Sequence, residues 1–276
     1  MKPNDLEKLI TNFYQTDPAK TSLDIYAFKS EHRTKVLYEY GKFVKNFEDF
    51  FEEINFLIQY LNYAEKKSWT QSKGYQYLVL PETIKTLHCA FEIAIDGYYD
   101  ETIILIRCVF ENFLRLVFLS KYPDNIEGII VSKKRKGLIQ FNATHVVEHI
   151  LKLDSSWLYS LMSSITHGKK PKMLRELTAR STGKQSAIIL EYQSDKDSIA
   201  SCINLFMLMQ HLILRSMMVI FSSEIQTTNQ LQPRLERIKS ADTILELIQT
   251  TNSNAHFRTY VNKLMKNAAI IFANSK

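Results

Sequence analysis

Glycine and proline are scarce in this sequence, 7 and 6 residues out of 276, against an average usage of about 7% and 5%. Tight hairpins and closely spaced turns therefore have few residues to build them, which disfavours a fold of many short strands and suits long helices. The cysteines number three, Cys89, Cys108 and Cys202. Odd in number, widely spaced and set in apolar segments, they fit reduced core thiols rather than a disulfide framework or a cysteine zinc site. The sequence contains no Walker loop, no Gly-rich dinucleotide turn, no C-x-x-C pair and no G-x-S-x-G elbow, so ATP hydrolysis and dehydrogenase chemistry are disfavoured. The opening Met1-Lys2-Pro3-Asn4-Asp5-Leu6-Glu7-Lys8 has charges of both signs and no apolar run. It does not read as a secretory signal, and the expected location is cytoplasmic.

Hydrophobic residues, by contrast, make up 45% of the chain and aromatics 12%, enough to fill a sizeable core and to exclude a disordered chain. Two apolar stretches approach membrane length, residues 103–119 and 203–221. The first carries Arg107, Glu111, Asn112 and Arg115 and the second Asn204, Gln210, His211 and Arg215, all unfavourable in hydrocarbon. Both are expected to be buried helices of a soluble bundle, with no membrane partner. The formal net charge is +6, which favours an anionic partner. Lys133-Lys134-Arg135-Lys136 form one compact run, and Lys169, Lys170, Lys172, Arg175, Arg180 and Lys184 crowd a second segment against a single Glu176. Solvated loops are the alternative account of both runs.

Residues 31–67 repeat apolar side chains at three- and four-residue intervals, which predicts a long amphipathic helix with a bend permitted at Gly41. The pattern is lost over residues 68–80, read as a connection. Pro81 is then placed in the first turn of a new helix running to about Asp96. Gly97 serves as its C-terminal turn, and a second helix from about Asp100 to Lys121, stopped by Pro123, completes an antiparallel hairpin. Further helices are expected near residues 126–134, 144–153, 155–166, 198–223, 241–249 and 255–273. Residues 187–192 are the one plausible β element. The expected fold class is all-α, a multi-helix bundle with long helices and at most one short β element. Its expected divisions are an N-terminal helical region (1–80), a central bundle (81–223) and a C-terminal appendage (224–276), which can share one core.

Two constellations carry chemistry. At ~100° per residue, Arg107 falls between Leu114 and Phe118 on the helix wheel with Glu111 about 40° away, so the pair borders the apolar stripe. Charges there are rarely left unpaired, so each must contact the other or a polar group on a neighbouring helix. They form either an ion pair that fixes helix register or an anion-binding or catalytic cleft. The second is Ser163-Ser164-Ile165-Thr166-His167-Gly168, a helix end immediately before the basic segment. A histidine beside hydroxyl groups there can act in proton transfer, or can simply hydrogen-bond the last carbonyls of its helix.

The stretch Leu105-Ile106-Arg107-Cys108-Val109-Phe110-Glu111-Asn112-Phe113-Leu114, followed about 50 residues later by Ser164-Ile165-Thr166-His167-Gly168, resembles uncharacterised bacterial helical proteins related to the HEPN superfamily. The resemblance spans about residues 81–221. It implies an HEPN-like central bundle, and its better known members are metal-independent ribonucleases, often toxins or antiphage effectors, that dimerise around their catalytic residues. Carried over by position, Arg107, Glu111, Ser164 and His167 would form the catalytic set, with no metal and no cofactor. Lys169, Lys170, Lys172 and Arg175 would hold the RNA backbone. The ribonuclease motif places an Arg four to six residues from its His, whereas residues 160–166 contain none. The resemblance then requires Arg107, from another helix, to supply the cation. The competing expectation is a non-catalytic helical module that binds a partner protein or nucleic acid.

Two other histidine groups need a reading. His145-Val146-Val147-Glu148-His149 fits the H-x-x-E-H pattern of inverzincin peptidases, with Glu224 a conceivable third ligand. A pair of exposed helix residues opposite Val147 and Leu151 is the expectation adopted, because three fixed residues are a weak motif. His211 and Arg215 lie on adjacent turns of an apolar helix and could face the Arg107 cleft, but the expectation adopted for His211 is a satisfied core histidine.

Overall fold

The computed structural model describes residues 25–63, 66, 69–130, 138–154, 162, 196–225 and 255–273. Among them every regular element is helical and there is no strand, so the all-α multi-helix class holds. The expected β element at 187–192, the helices at 155–166 and 241–249 (apart from Met162, which is helical), and the basic runs lie outside the described residues.

Helix α1 spans Ile25–Tyr63. Its buried face reads Val36, Val44, Phe47, Phe51, Ile54, Leu57 and Leu61, the three- and four-residue spacing that lays one stripe against a core. The expected bend occurs one residue before Gly41, where Tyr40 leaves helical geometry at φ −120° and ψ 20°. Arg33, near the start of α1, ties it to the next helix by donating to Glu92 at 2.9 Å and Asp96 at 3.1 Å.

Helix α2 spans Gln71–Ile95, with Thr70 as N-cap accepting a hydrogen bond from the Lys73 amide. This corrects the expectation of a connection over residues 68–80 and of a helix opening at Pro81. Pro81 sits inside α2, and the expected division at residue 80 therefore cuts a helix. An interior proline removes one helical hydrogen bond at a cost of about 3 kcal/mol. Burial of Tyr77 and Leu80 on one side of it and Ile84 and Leu87 on the other offsets that cost, at roughly 1.5–3 kcal/mol for each large apolar side chain.

The α2 C-cap is Asp96, and Gly97 makes the turn at φ 91°, a left-handed conformation that glycine adopts without strain. Helix α3 follows at Tyr99–Lys121. Gln76, near the start of α2, donates from Nε2 to Leu116 O and to Ser120 Oγ near the end of α3. Thr102 Oγ1 at the other end donates to Ala90 O. The two helices therefore run antiparallel, as expected for so short a connection.

Beyond α3 the chain forms the short α4 (Glu127–Ile130) and α5 (Ala143–His145), then a π-helical turn over Val146–Ile150. Gly128 accepts Phe141 N–H at its own carbonyl, and a Cβ there would stand 2.0 Å from Ile139 O. Only glycine lets these two backbones approach so closely. Helix α6 spans Lys196–Ile220, α7 spans Ser222–Ile225 and α8 spans Ala255–Ala273.

Helix α6 packs on α1, α2, α3 and α8 and buries every residue from Leu205 to Leu214, consecutive positions that cover its whole circumference. A helix apolar on nearly all sides belongs at the centre of a bundle. Its window Cys202–Ile220 is also long and apolar enough to cross a membrane, and 67% of it is buried inside the bundle. Phe47 joins α1 to the centre, stacked on Phe91 at 4.0 Å between ring centroids and edge-on to Phe206 at 5.2 Å.

The cysteines depart from expectation. Cys202 is buried, but Cys89 and Cys108 are exposed. Their neighbours Ala90 and Val109 are buried, so the apolar setting in sequence belongs to an adjoining helix face about 100° away.

Candidate functional site

The Arg107–Glu111 pair forms as its spacing requires. Residues four apart on a helix are surface neighbours, and Arg107 Nε donates to Glu111 Oε1 at 2.9 Å, with side chains 15% and 25% exposed. On one side of the pair Ile106, Phe110, Phe113 and Leu114 are fully buried; on the other, Cys108 is exposed. The guanidinium is thus held at the edge of the core. Two turns further along α3, Arg115 hydrogen-bonds Asn112 and lays its guanidinium over the Phe141 ring, 5.2 Å from the centroid. The Arg115–Phe141 contact has no local signal in the sequence, since Phe141 stands in the connection after α4.

Of the expected catalytic and RNA-holding set, the structure brings Arg107 and Glu111 together. Ser164, His167, Lys169, Lys170, Lys172 and Arg175 lie outside the described residues. His211 is buried within α6 and Arg215, one turn on, is exposed.

His145 and His149 stand on successive turns with ring centroids 4.7 Å apart and planes tilted by 44°. Asn142 caps this segment, its Oδ1 accepting the His145 amide at 3.0 Å. Val146, Val147 and Leu151 anchor it in the core; His149 is exposed as expected, whereas His145 is half-buried. Ile139, Gln140, Asn142, Thr144, His145, Glu148 and His149 together line an open recess. Among the described residues no group of three or more His, Cys, Asp or Glu is arranged to hold a metal ion.

Glu224 is engaged at another place, so it is not the third ligand that the H-x-x-E-H pattern needs. It takes Lys73 Nζ at 2.7 Å and Trp69 Nε1 at 2.8 Å. Lys73 also lies over the Trp69 and Phe221 rings, at 5.8 and 5.6 Å. Burial pushes the Glu224 carboxyl upward, but the hydrogen bonds from Lys73 and Ser223 prevail and hold it below the usual carboxylate range. This cluster joins the segment before α2 to α7, and no local motif announces it.

No protein-family model, no curated protein and no solved structure matches this chain.

Proposed function

We propose that this chain is an HEPN-like helical effector that cleaves RNA without a metal, acting as a homodimer in antiphage defence or as a toxin. The observation that carries the reading is the Arg107 guanidinium, fixed by Glu111 at the edge of the core. A cation held there, where the surroundings screen charge less than water does, can stabilise negative charge developing on a phosphate. His167 would take the proton of an RNA 2′-hydroxyl or return one to the leaving oxygen, Ser164 would orient the imidazole, and Lys169, Lys170, Lys172 and Arg175 would grip the backbone. The net charge of +6 supports an anionic partner.

A second reading, a helical interaction module that binds a partner protein or nucleic acid without cutting it, is favoured by Glu111 already neutralising Arg107 from the same helix. Incubating purified protein with total RNA separates the two. The first predicts cleavage; the second predicts intact RNA together with binding that weakens steeply as salt rises.

A further inference from the structure

We propose that His145 and His149 form a two-imidazole chelate for one borderline divalent transition-metal ion, independent of the RNA chemistry proposed above. Two imidazole nitrogens bound to one tetrahedral ion at ~2.0–2.1 Å lie roughly 3.3 Å apart. Rings whose centroids are 4.7 Å apart need only rotation about their side-chain bonds to present nitrogens at that separation. The wider π turn over Val146–Ile150, closed by Leu151 N–H on Val146 O at 2.8 Å, brings residues four apart nearly one beneath the other.

The backbone of the segment is also held at both ends, so only the two imidazoles must turn when an ion arrives. Asn142 caps its start, and Phe141 N–H bonds Gly128 O next to that cap. At its close Lys152 takes the left-handed conformation with φ 52°, Leu153 N–H reaches back to Val147 O, and Asn267 Nδ2 of α8 holds Leu151 O at 2.6 Å. Fixed ligands bind more tightly than ligands that must first be ordered. The imidazoles are reachable from solvent, and the recess around them is lined by the polar side chains of Gln140, Asn142, Thr144 and Glu148, which suit the water molecules that complete the ion's coordination.

Two protein ligands define the character of the site. Lacking a third among the described residues, it is open and exchangeable, unlike a closed four-ligand structural zinc site. Imidazole nitrogen selects copper, nickel and zinc over magnesium and calcium, with Cu²⁺ bound most tightly of the three.

Calorimetric titration of the full chain with Cu²⁺, Ni²⁺ and Zn²⁺ salts, and with Mg²⁺ as control, tests this. The expected result is one tight Cu²⁺ per chain, weaker Ni²⁺ and Zn²⁺, and no Mg²⁺. His145→Ala and His149→Ala should each weaken Cu²⁺ binding by about tenfold or more, with the metal-free melting temperature unchanged. If either alanine variant melts early, His145→Asn and His149→Gln replace them and must show the same loss. Glu148→Gln should change binding less than about threefold. Wild-type affinity in the histidine variants, or no Cu²⁺ taken up by the wild type, overturns the proposal; so does an equal loss in Glu148→Gln, which would replace the two-ligand chelate with a three-ligand centre.

Discussion

Lys73 and Glu224, 151 residues apart in the chain, meet as an ion pair at 2.7 Å with side chains 22% and 12% exposed. Trp69 donates to the same carboxylate. The pair clamps the start of α2 against α7, and because the folded carboxyl is held below its ordinary range, its contribution is present above the unfolded carboxylate pKa and is lost as pH falls through the folded value. Lys73→Met is expected to cost about 1–3 kcal/mol at neutral pH, since it leaves a half-buried carboxylate without its cation. Urea denaturation at pH 7 and pH 3.5 checks this: the difference between wild type and variant should shrink at the lower pH.

His32 gives a second pH dependence of the same sense through a different group. It is buried against Tyr99, whose hydroxyl lies 2.9 Å from its Nε2. Burial first, and Lys35 second, lower its pKa against the opposing pull of Asp96. The unfolded chain then binds a proton that the folded one refuses, so stability falls as pH drops below the unfolded value of about 6.5 and levels off below the folded value. Thermal denaturation between pH 8 and pH 5 should show this decline, and His32→Phe should flatten it.

Lys152 holds a left-handed backbone with φ 52°, a conformation that costs a side-chain-bearing residue roughly 1–2 kcal/mol. Lys152→Gly should stabilise the protein by up to about 1 kcal/mol once the added freedom of the unfolded glycine is deducted. A lower urea midpoint in the variant would contradict this account of how the π turn ends.

Gln76 is buried between the hairpin helices and donates from Nε2 to Leu116 O at 3.2 Å and to Ser120 Oγ at 3.0 Å. Gln76→Leu keeps the bulk but leaves those acceptors without their donor, and should cost about 1–3 kcal/mol. Equilibrium unfolding by circular dichroism measures it.

The hairpin was readable because its signals are local. Gly97 and Pro123 bracket α3, found at Tyr99–Lys121 against an expected 100–121, and α8 begins and ends where its periodicity does. Pro81 misled because a proline reports only its own backbone cost, whereas the burial that outweighs it comes from other helices. Cys89 and Cys108 misled because a sequence window averages over helix faces that the fold separates. The Arg107–Glu111 contact was legible because both groups lie on one helix, one turn apart. The Trp69–Lys73–Glu224 cluster was not, because its partners are more than 150 positions apart and meet only once the bundle closes.

Metal-free RNA cleavage is measured with a chelator present, in the wild type, Arg107→Ala and His167→Ala. Arg107→Ala leaves the mostly buried Glu111 carboxylate without its cation at a cost of about 1–3 kcal/mol, so circular dichroism first establishes that each variant is folded, and Arg107→Ala with Glu111→Gln removes both charges together. The wild type is expected to cleave, with a loss of about 100-fold or more in each variant. Undiminished cleavage in both variants, or no cleavage by the wild type, would contradict this mechanism.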